Sequence, residues 1–167
     1  VHNVGSLSID NVSNVPRVAK SELFAELGLD PDRPTMLVTY HPVTLEFQLS
    51  PLDQIANLFT ALEHFDLQVL VTAPNIEVER ERILNAIQDF TSRKSSFHYI
   101  ESLGVVRYLS MIPACEVVLG NSSSGIIEVP FFKVPTVNIG DRQQGRIRHE
   151  SVIDTDYTVE SIGAGIH

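Results

Sequence analysis

The residues best suited to chemistry lie in the segment Gly120-Asn121-Ser122-Ser123-Ser124-Gly125, which follows three apolar residues and precedes an apolar run that carries Glu128. This order predicts a strand, a tight turn and a helix. The first amides of a helix have no partner within it and its dipole is positive there, so small residues at this point suit a phosphate group. We expect the three serines to supply hydroxyls and an N-cap, and Gly125 to keep the approach open. Glu128 would then lie near the mouth of the site, where a carboxylate can accept two ribose hydroxyls.

The same segment also fits an ordinary capped helix, in which Glu128 only suits the helix dipole. Neither the Rossmann glycine fingerprint nor a Walker lysine is present in the chain. The local pattern alone leaves both interpretations open.

Two further polar residues follow predicted strands. His41 comes directly after Thr35–Tyr40, and Asn75 follows Leu67–Thr72. In open parallel sheets the ligand crevice lies at the carboxyl ends of the strands, so both side chains become candidates for the same site. The commoner roles are a hydrogen-bonded loop residue for a single His and a turn former for Asn.

The loop Gly140–Arg148 follows another predicted strand and holds three arginines and two glycines. Guanidinium groups suit phosphate oxygens, and glycines allow a tight loop beside a ligand. Arg142 is nearest the strand end and is the candidate of the three. Arg146 and Arg148 fit the ordinary role of surface arginines.

Strand and helix patterns alternate along the chain, which predicts an α/β fold: a Rossmann-like three-layer sandwich with a mostly parallel sheet. The predicted strands are Thr35–Tyr40, Leu67–Thr72, Ser96–Ile100, Val117–Leu119, Pro135–Ile139 and Val152–Thr155. The predicted helices are Glu22–Leu27 after a Ser21 cap, one that starts at Ser50-Pro51, Ile76–Ser92, Val105–Cys115 and one that begins at Tyr157.

Residues 1–17 are polar and lack the periodicity of a core element, so we expect a hinge or linker there, with the folded domain spanning residues 18–167. The last helix is incomplete, and we expect its remainder outside this chain.

The composition sets limits on the partners. The 167 residues are 43% hydrophobic and 20% charged, as in a folded domain with a substantial core. The net charge of −9 argues against nucleic acid as a partner but allows a small anionic ligand. No membrane span or signal peptide is evident, so we expect a cytoplasmic protein. The six His are scattered and the single Cys has no partner, so we expect no metal site, and no cofactor is indicated.

Four motifs taken together resemble those of the UDP-N-acetylglucosamine 2-epimerase family. They are Gly120–Glu128, Val134–Gln143, Thr39–Thr44 and Ala73–Asn75, and their separations fit over essentially the whole chain. The Asn-Ser-Ser-Ser-Gly and Gly-Asp-Arg-Gln forms are similar to the hydrolysing branch, which releases UDP and N-acetylmannosamine for sialic-acid-type sugars. The non-hydrolysing branch usually has His-Arg-Arg where this chain has His41-Pro42-Val43.

The resemblance implies one half of a glycosyltransferase-B type enzyme, in which two Rossmann-like domains face each other across a cleft. This chain is similar to the second domain only, so the N-terminal domain would be a partner from the same protein, and the complete enzyme is expected to be a homo-oligomer. The implied ligands are UDP-N-acetylglucosamine and UDP. The implied contacts are Ser122, Ser123 and Arg142 with the diphosphate region, Glu128 with the ribose, Asn75 with the nucleotide, Leu103 with the uracil, and His41 with the leaving phosphate.

By resemblance, the reaction is elimination of UDP followed by addition of water, with His41 as the catalytic residue that this chain supplies. The proton-transferring carboxylates would belong to the missing domain. A glycosyltransferase of the same architecture and a non-enzymatic nucleotide-binding module stay open as alternatives. Transfer needs an acceptor, whereas the epimerase needs only water.

Overall fold

The chain is organised around a central parallel β-sheet. The structure is a computed structural model that describes residues 6, 8–43, 49–75 and 79–167. Within these residues the sheet has the strand order β3-β2-β1-β4-β5-β6, and every neighbouring pair is parallel. The strands are β1 (Thr35–Thr39), β2 (Gln68–Thr72), β3 (Phe97–Ile100), β4 (Val117–Gly120), β5 (Thr136–Ile139) and β6 (Val152–Thr155). The predicted α/β class and parallel sheet are confirmed.

Helices connect the strands and cover both faces of the sheet. They are α1 (Ser8–Asn14), α2 (Lys20–Leu27), α3 (Pro51–Leu62), α4 (Arg80–Ser92), α5 (Gly104–Met111), α6 (Ser124–Ile127) and α7 (Val159–Ile166), with 3-10 turns at Ile112–Ala114 and Val129–Phe132. The strand order is that of a Rossmann fold, in which the direction of sheet growth reverses between β1 and β4. Such a switch point leaves a crevice outside the carboxyl ends of these two strands.

Two hydrophobic clusters pack against opposite faces of the sheet. Alternation along β1 sends Met36 and Val38 into one cluster and Leu37 into the other, because successive strand side chains point to opposite faces. Helices α3, α4 and α7 contribute to the first cluster, and α1, α2 and α5 contribute to the second. The predicted three-layer sandwich is therefore confirmed.

The structure corrects the expectation of a linker for part of residues 1–17, while residues 1–5 and 7 lie outside the described residues. Residues 8–14 form helix α1, and Val12 on this helix is 1% exposed within the second cluster. The Arg17 guanidinium donates to the carbonyl oxygens of Val12 and Val15, which joins α1 to the following segment. The polar composition hid this helix because a single well-placed apolar residue anchors it.

Helix boundaries also differ from the sequence prediction. Ser21 does not cap α2, which begins at Lys20 after Ala19 and has no side-chain cap. Gly28 ends this helix as predicted, with a φ of 67°. Ser50 does cap α3, where its hydroxyl accepts a hydrogen bond from the Asp53 N–H. The predicted start of α4 at residue 76 lies outside the described residues.

A buried amide fixes both ends of the loop between β1 and α3. Gln54 on α3 is 1% exposed, and its Oε1 accepts hydrogen bonds from the Tyr40 hydroxyl at 2.8 Å and the Val43 N–H at 2.9 Å. Its Nε2 donates to the carbonyl oxygens of Val43 at 3.0 Å and Leu49 at 3.1 Å. The chain on either side of residues 44–48 is thus attached to α3.

None of the helices in the described ranges is long and apolar enough to cross a membrane.

Strand β4 ends in a backbone conformation that only glycine adopts readily. Gly120 has a φ of +138°, and a Cβ added there would lie 2.0 Å from the carbonyl oxygen of Thr39 on β1. We expect Gly120→Ala to lower the free energy of unfolding by about 3 kcal/mol or more, since the strain adds to a backbone clash. Urea unfolding followed by circular dichroism measures this loss.

Gly28→Ala is the matched control for this substitution. Gly28 also has a positive φ, +67°, but no heavy atom lies within 4 Å of the added Cβ. Gly28→Ala should lower the free energy of unfolding by only about 1 kcal/mol, because it adds backbone strain without a clash. Equal losses in the two variants would contradict the role of the Thr39 contact.

Candidate functional site

A cavity of about 450 Å³ lies at the carboxyl ends of β1, β2 and β3. This volume is in the usual range for small-ligand sites. Three residues singled out from the sequence, His41, Asn75 and Leu103, line it together. Arg80 and Glu101 also line it and form an ion pair at 3.2 Å.

The His41 imidazole is held in one orientation. Its Nδ1 accepts a hydrogen bond from the Asn75 backbone N–H at 2.9 Å, so the neutral ring carries its proton on Nε2. Burial, followed by the nearby Arg142 guanidinium, lowers the pKa of His41 to about 4 from an ordinary 6.5. At neutral pH this ring is an uncharged hydrogen-bond donor, not a cation.

Asn121 connects the ends of β1 and β4. The residue is 0% exposed; its Oδ1 accepts from the His41 N–H at 2.8 Å, and its Nδ2 donates to the His41 carbonyl at 2.8 Å. Asn121 was assigned no role from the sequence. Its position directly after a strand, in the same setting as Asn75, is the signal that could have found it.

Arg142 lies beside this junction, in the loop after β5. Its Nη1 donates to the Asn121 carbonyl at 2.9 Å, and the neighbouring Gln143 Nε2 donates to the same oxygen at 2.8 Å. The positive charge of Arg142 contributes to the lowered pKa of His41, so the two side chains interact electrostatically. Arg148 instead pairs with Asp154 at 3.0 Å and donates to the Gln143 carbonyl at 3.3 Å, which gives it a structural role.

The serine turn is built differently from the prediction. Helix α6 is a single turn of four residues, and Ser123 precedes it in a helical conformation without a side-chain cap. A helix this short sums few peptide dipoles, so its positive end is weaker than expected. Ser122 and Ser123 do not line the cavity at the strand ends, nor a second cavity beside Glu128 that is described below. Both serines are partly buried and directly follow Asn121 in the chain.

Gly125 does not keep an approach open for a ligand, which corrects the prediction for this residue. A Cβ there would lie 2.9 Å from Cγ2 of Thr136 on β5, and the Thr136 hydroxyl donates to the Gly125 carbonyl at 2.8 Å. The glycine is needed because α6 packs directly on the sheet.

Glu128 lines a second cavity, of about 240 Å³, together with Ser8, Val12, Tyr108 and Ser124. Its Oε2 is buried and has no hydrogen-bond partner among the described residues. Burying a carboxylate oxygen without a donor is costly, so a hydroxyl donor that reached this oxygen would stabilise it.

Tyr108 was missed in the sequence and lies between the two cavities. It lines both of them, as does Val105, so the cavities adjoin. The Tyr108 hydroxyl donates to Ser124 Oγ at 2.8 Å, and burial raises the pKa of this phenol. Its place in the first turns of the helix after β3, near the predicted crevice, was the available signal.

Among the residues that the structure describes, no group of three or more His, Cys, Asp or Glu side chains is arranged to hold a metal ion.

The comparisons with known proteins point in one direction. A family model described as UDP-N-acetylglucosamine 2-epimerase matches residues 1–167. The chain is 34% identical over 158 residues to the GDP/UDP-N,N'-diacetylbacillosamine 2-epimerase (hydrolyzing) of Campylobacter jejuni, covering 93% of this chain and 41% of the relative. It is 37% identical over 169 residues to the polysialic acid biosynthesis protein P7 of Escherichia coli, covering 100% of this chain and 42% of the relative. The chain thus spans less than half the length of these relatives.

The fold is also similar to a solved structure. The UDP-GlcNAc 2-epimerase from Neisseria meningitidis bound to UDP-GlcNAc superposes with a TM-score of 0.69 over 95% of this chain and 42% of that one, at 13% sequence identity. At this identity the likeness concerns the fold alone.

The geometry of His41 predicts a specific pH dependence of stability. The folded chain holds the His41 pKa at about 4, whereas the unfolded chain titrates near 6.5, so the folded state binds fewer protons between these values. The stability contributed by this residue is complete above about pH 6.5 and is lost as the pH falls towards 4. His41→Gln should remove this part of the pH dependence, measured by urea unfolding at several pH values.

An NMR titration of the imidazole checks the same prediction directly. The ring should stay neutral with its proton on Nε2 down to about pH 5. A His41 imidazole that titrates near pH 6.5 would contradict the prediction. So would a stability with the same pH dependence in the unmodified chain and in His41→Gln.

Proposed function

The chain belongs to the UDP-N-acetylglucosamine 2-epimerase family, and from that premise we propose that it is the UDP-binding domain of a hydrolysing UDP-N-acetylglucosamine 2-epimerase. The complete enzyme would convert UDP-N-acetylglucosamine and water into UDP and N-acetylmannosamine, for sialic-acid-type sugars in the cytoplasm. The observation that carries the proposal is a pair of adjoining cavities, one lined by His41, Asn75 and Leu103 at the strand ends and the other by Glu128, whose buried Oε2 has no hydrogen-bond partner among the described residues.

The uridine would occupy the two cavities. In this arrangement the base lies in the larger one, against the backbone at Leu103, and the ribose reaches past Tyr108 towards Glu128. Two ribose hydroxyls would then donate hydrogen bonds to the Glu128 carboxylate, whose buried Oε2 has no partner among the described residues. This supports placing the ribose, and not the base, beside Glu128.

The diphosphate would lie at the switch point, between the ends of β1 and β4. Ser122 and Ser123 offer hydroxyl and amide donors, and Arg142 offers an exposed guanidinium. The His41 Nε2–H is a further donor, and its neutral state is supported by the bond from Asn75 to Nδ1. An acidic chain can hold this anion because the donors are local.

In the proposed reaction a base takes the proton from C2 of the sugar while the C1–O bond breaks and UDP departs with the bonding electrons. Water then adds to the resulting 2-acetamidoglucal, giving the opposite configuration at C2. His41 would stabilise the charge that develops on the departing phosphate, as a donor fixed before the reaction starts. The base would come from the N-terminal domain that completes the enzyme.

The names of two relatives favour the hydrolysing epimerase over the glycosyltransferase. The Campylobacter jejuni protein is named as a hydrolyzing 2-epimerase, and the Escherichia coli protein is named for polysialic acid biosynthesis. The first name states hydrolysis, which fits water as the second substrate, and the second fits a product used for sialic-acid-type sugars. The assembly of the complete enzyme as a homo-oligomer stays a prediction.

Titration calorimetry of this chain with UDP tests the ribose contact. We expect UDP to bind with a Kd of about 1 mM or tighter, about −4 kcal/mol. Glu128→Gln should weaken UDP about tenfold, since a neutral amide accepts hydroxyl protons less strongly than a carboxylate. It should not weaken 2′,3′-dideoxy-UDP, which has no hydroxyls for Glu128.

Glu160→Gln makes the same chemical change at an exposed position on α7 and should leave both affinities unchanged. Equal weakening of both nucleotides by Glu128→Gln would overturn the ribose assignment. Absence of UDP binding in the unmodified chain, repeated in the complete enzyme, would overturn the proposed function.

The complete enzyme in D2O tests the reaction itself. Elimination and hydration predict that UDP-N-acetylglucosamine yields UDP and N-acetylmannosamine with deuterium at C2, without any sugar acceptor. His41→Gln should lower kcat on the order of a hundredfold with a small change in KM, because its donor acts mainly in the transition state. Product formation that requires an acceptor would favour the glycosyltransferase, and a change in KM alone would assign His41 to binding only.

A further inference from the structure

Asn121 continues the pairing of β1 with β4 beyond the last backbone pair. The regular register ends with Thr39 opposite Gly120, where the positive φ of Gly120 turns the backbone away. The Asn121 side-chain amide then takes the place of a peptide group. It accepts from the His41 N–H and donates to the His41 carbonyl, both at 2.8 Å, so the backbone of His41 is held as if it were still in a sheet.

The main chain of the same residue holds the opposite side of the site. The Asn121 carbonyl accepts from Arg142 Nη1 at 2.9 Å and from Gln143 Nε2 at 2.8 Å. Gln143 is 3% exposed, so this second bond is shielded from water. One fully buried residue therefore contacts both His41 and Arg142, which come from loops about a hundred residues apart in the chain.

We propose that Asn121 is a positioning residue for the diphosphate, which fixes the distance between the His41 imidazole and the Arg142 guanidinium. This inference rests on the proposed function, in which both groups donate to the phosphates. Donors that are already ordered lose little conformational entropy when the ligand binds, so their spacing is part of the affinity. Asn121 acts through these two residues and does not itself need to touch the ligand.

A second buried asparagine distinguishes positioning of His41 and Arg142 from a general need for a buried amide. Asn138 on β5 is also buried, at 1% exposed, and its Nδ2 donates to Asp154 Oδ1 at 2.7 Å and to the Gly140 carbonyl at 3.4 Å. It contacts neither His41 nor Arg142 through these bonds. Asn138→Ala is thus a matched control: the same side chain is removed from a neighbouring strand.

The first test uses the ligand-free chain. In the unmodified protein the His41 ring nitrogens should show a single neutral tautomer by 15N NMR, with the proton on Nε2. Asn121→Ala removes both hydrogen bonds between the Asn121 side chain and the His41 backbone, so the imidazole is no longer held against the Asn75 N–H and should give a mixture of tautomers. Asn138→Ala should not. An unchanged His41 tautomer in Asn121→Ala would overturn the proposal.

The second test compares UDP with uridine, which lacks the diphosphate. Asn121→Ala should weaken UDP at least tenfold and uridine less than twofold, and its cost for UDP should shrink in a His41→Ala background. Asn138→Ala should change neither affinity. Equal weakening of UDP and uridine, or full additivity with His41→Ala, would overturn the positioning role.

One outcome separates this inference from the proposed function. If Asn121→Ala changes the His41 tautomer but the unmodified chain and the complete enzyme bind no UDP, the positioning of His41 is supported and the nucleotide assignment fails. If Asn121→Ala does not fold, Asn121→Ser, which keeps a hydroxyl beside His41, is measured in the same two tests and judged by the same criteria.

Discussion

The site depends on how the backbone leaves the central strand β4. A Cβ on Gly120 would meet the carbonyl oxygen of Thr39 at 2.0 Å, so the two strands can approach this closely only if residue 120 is glycine. The same φ turns the chain so that Asn121 faces back towards His41 instead of continuing along the strand. The serine turn, the position of His41 and the support for Arg142 all follow from this one turn at the switch point of the sheet.

The architecture was largely readable from the sequence because buried parallel strands leave a strong pattern. Segments rich in β-branched and other apolar residues, such as Thr35–Thr39 and Gln68–Thr72, give strands where they are bounded by turn residues. The position of His41 and Asn75 on one cavity also followed, since the ends of parallel strands meet at one edge, whereas Leu103 on the same cavity was named only through the family resemblance. Their roles towards a nucleotide stay predictions.

The errors concern contacts that local patterns do not contain. Gly125 was assigned to an open approach, but its space is taken by Thr136, eleven residues along the chain and one strand away. Helix α1 was missed because its stability comes from burying Val12 against other helices, not from its own polar sequence. Asn121 was passed over since its value lies in two partners that only the folded sheet brings near it, at sequence separations of 80 and 21 residues.

The attachment of Gln54 has a consequence for how this fold can vary. One side chain on α3 holds the backbone at Val43 and Leu49, so both ends of the intervening loop are fixed independently of what lies between them. Lengthening a loop whose ends are fixed costs only about 0.6 kcal/mol for each doubling of its length. An insertion between residues 43 and 49 is therefore expected to cost little stability and to leave the imidazole of His41 in place.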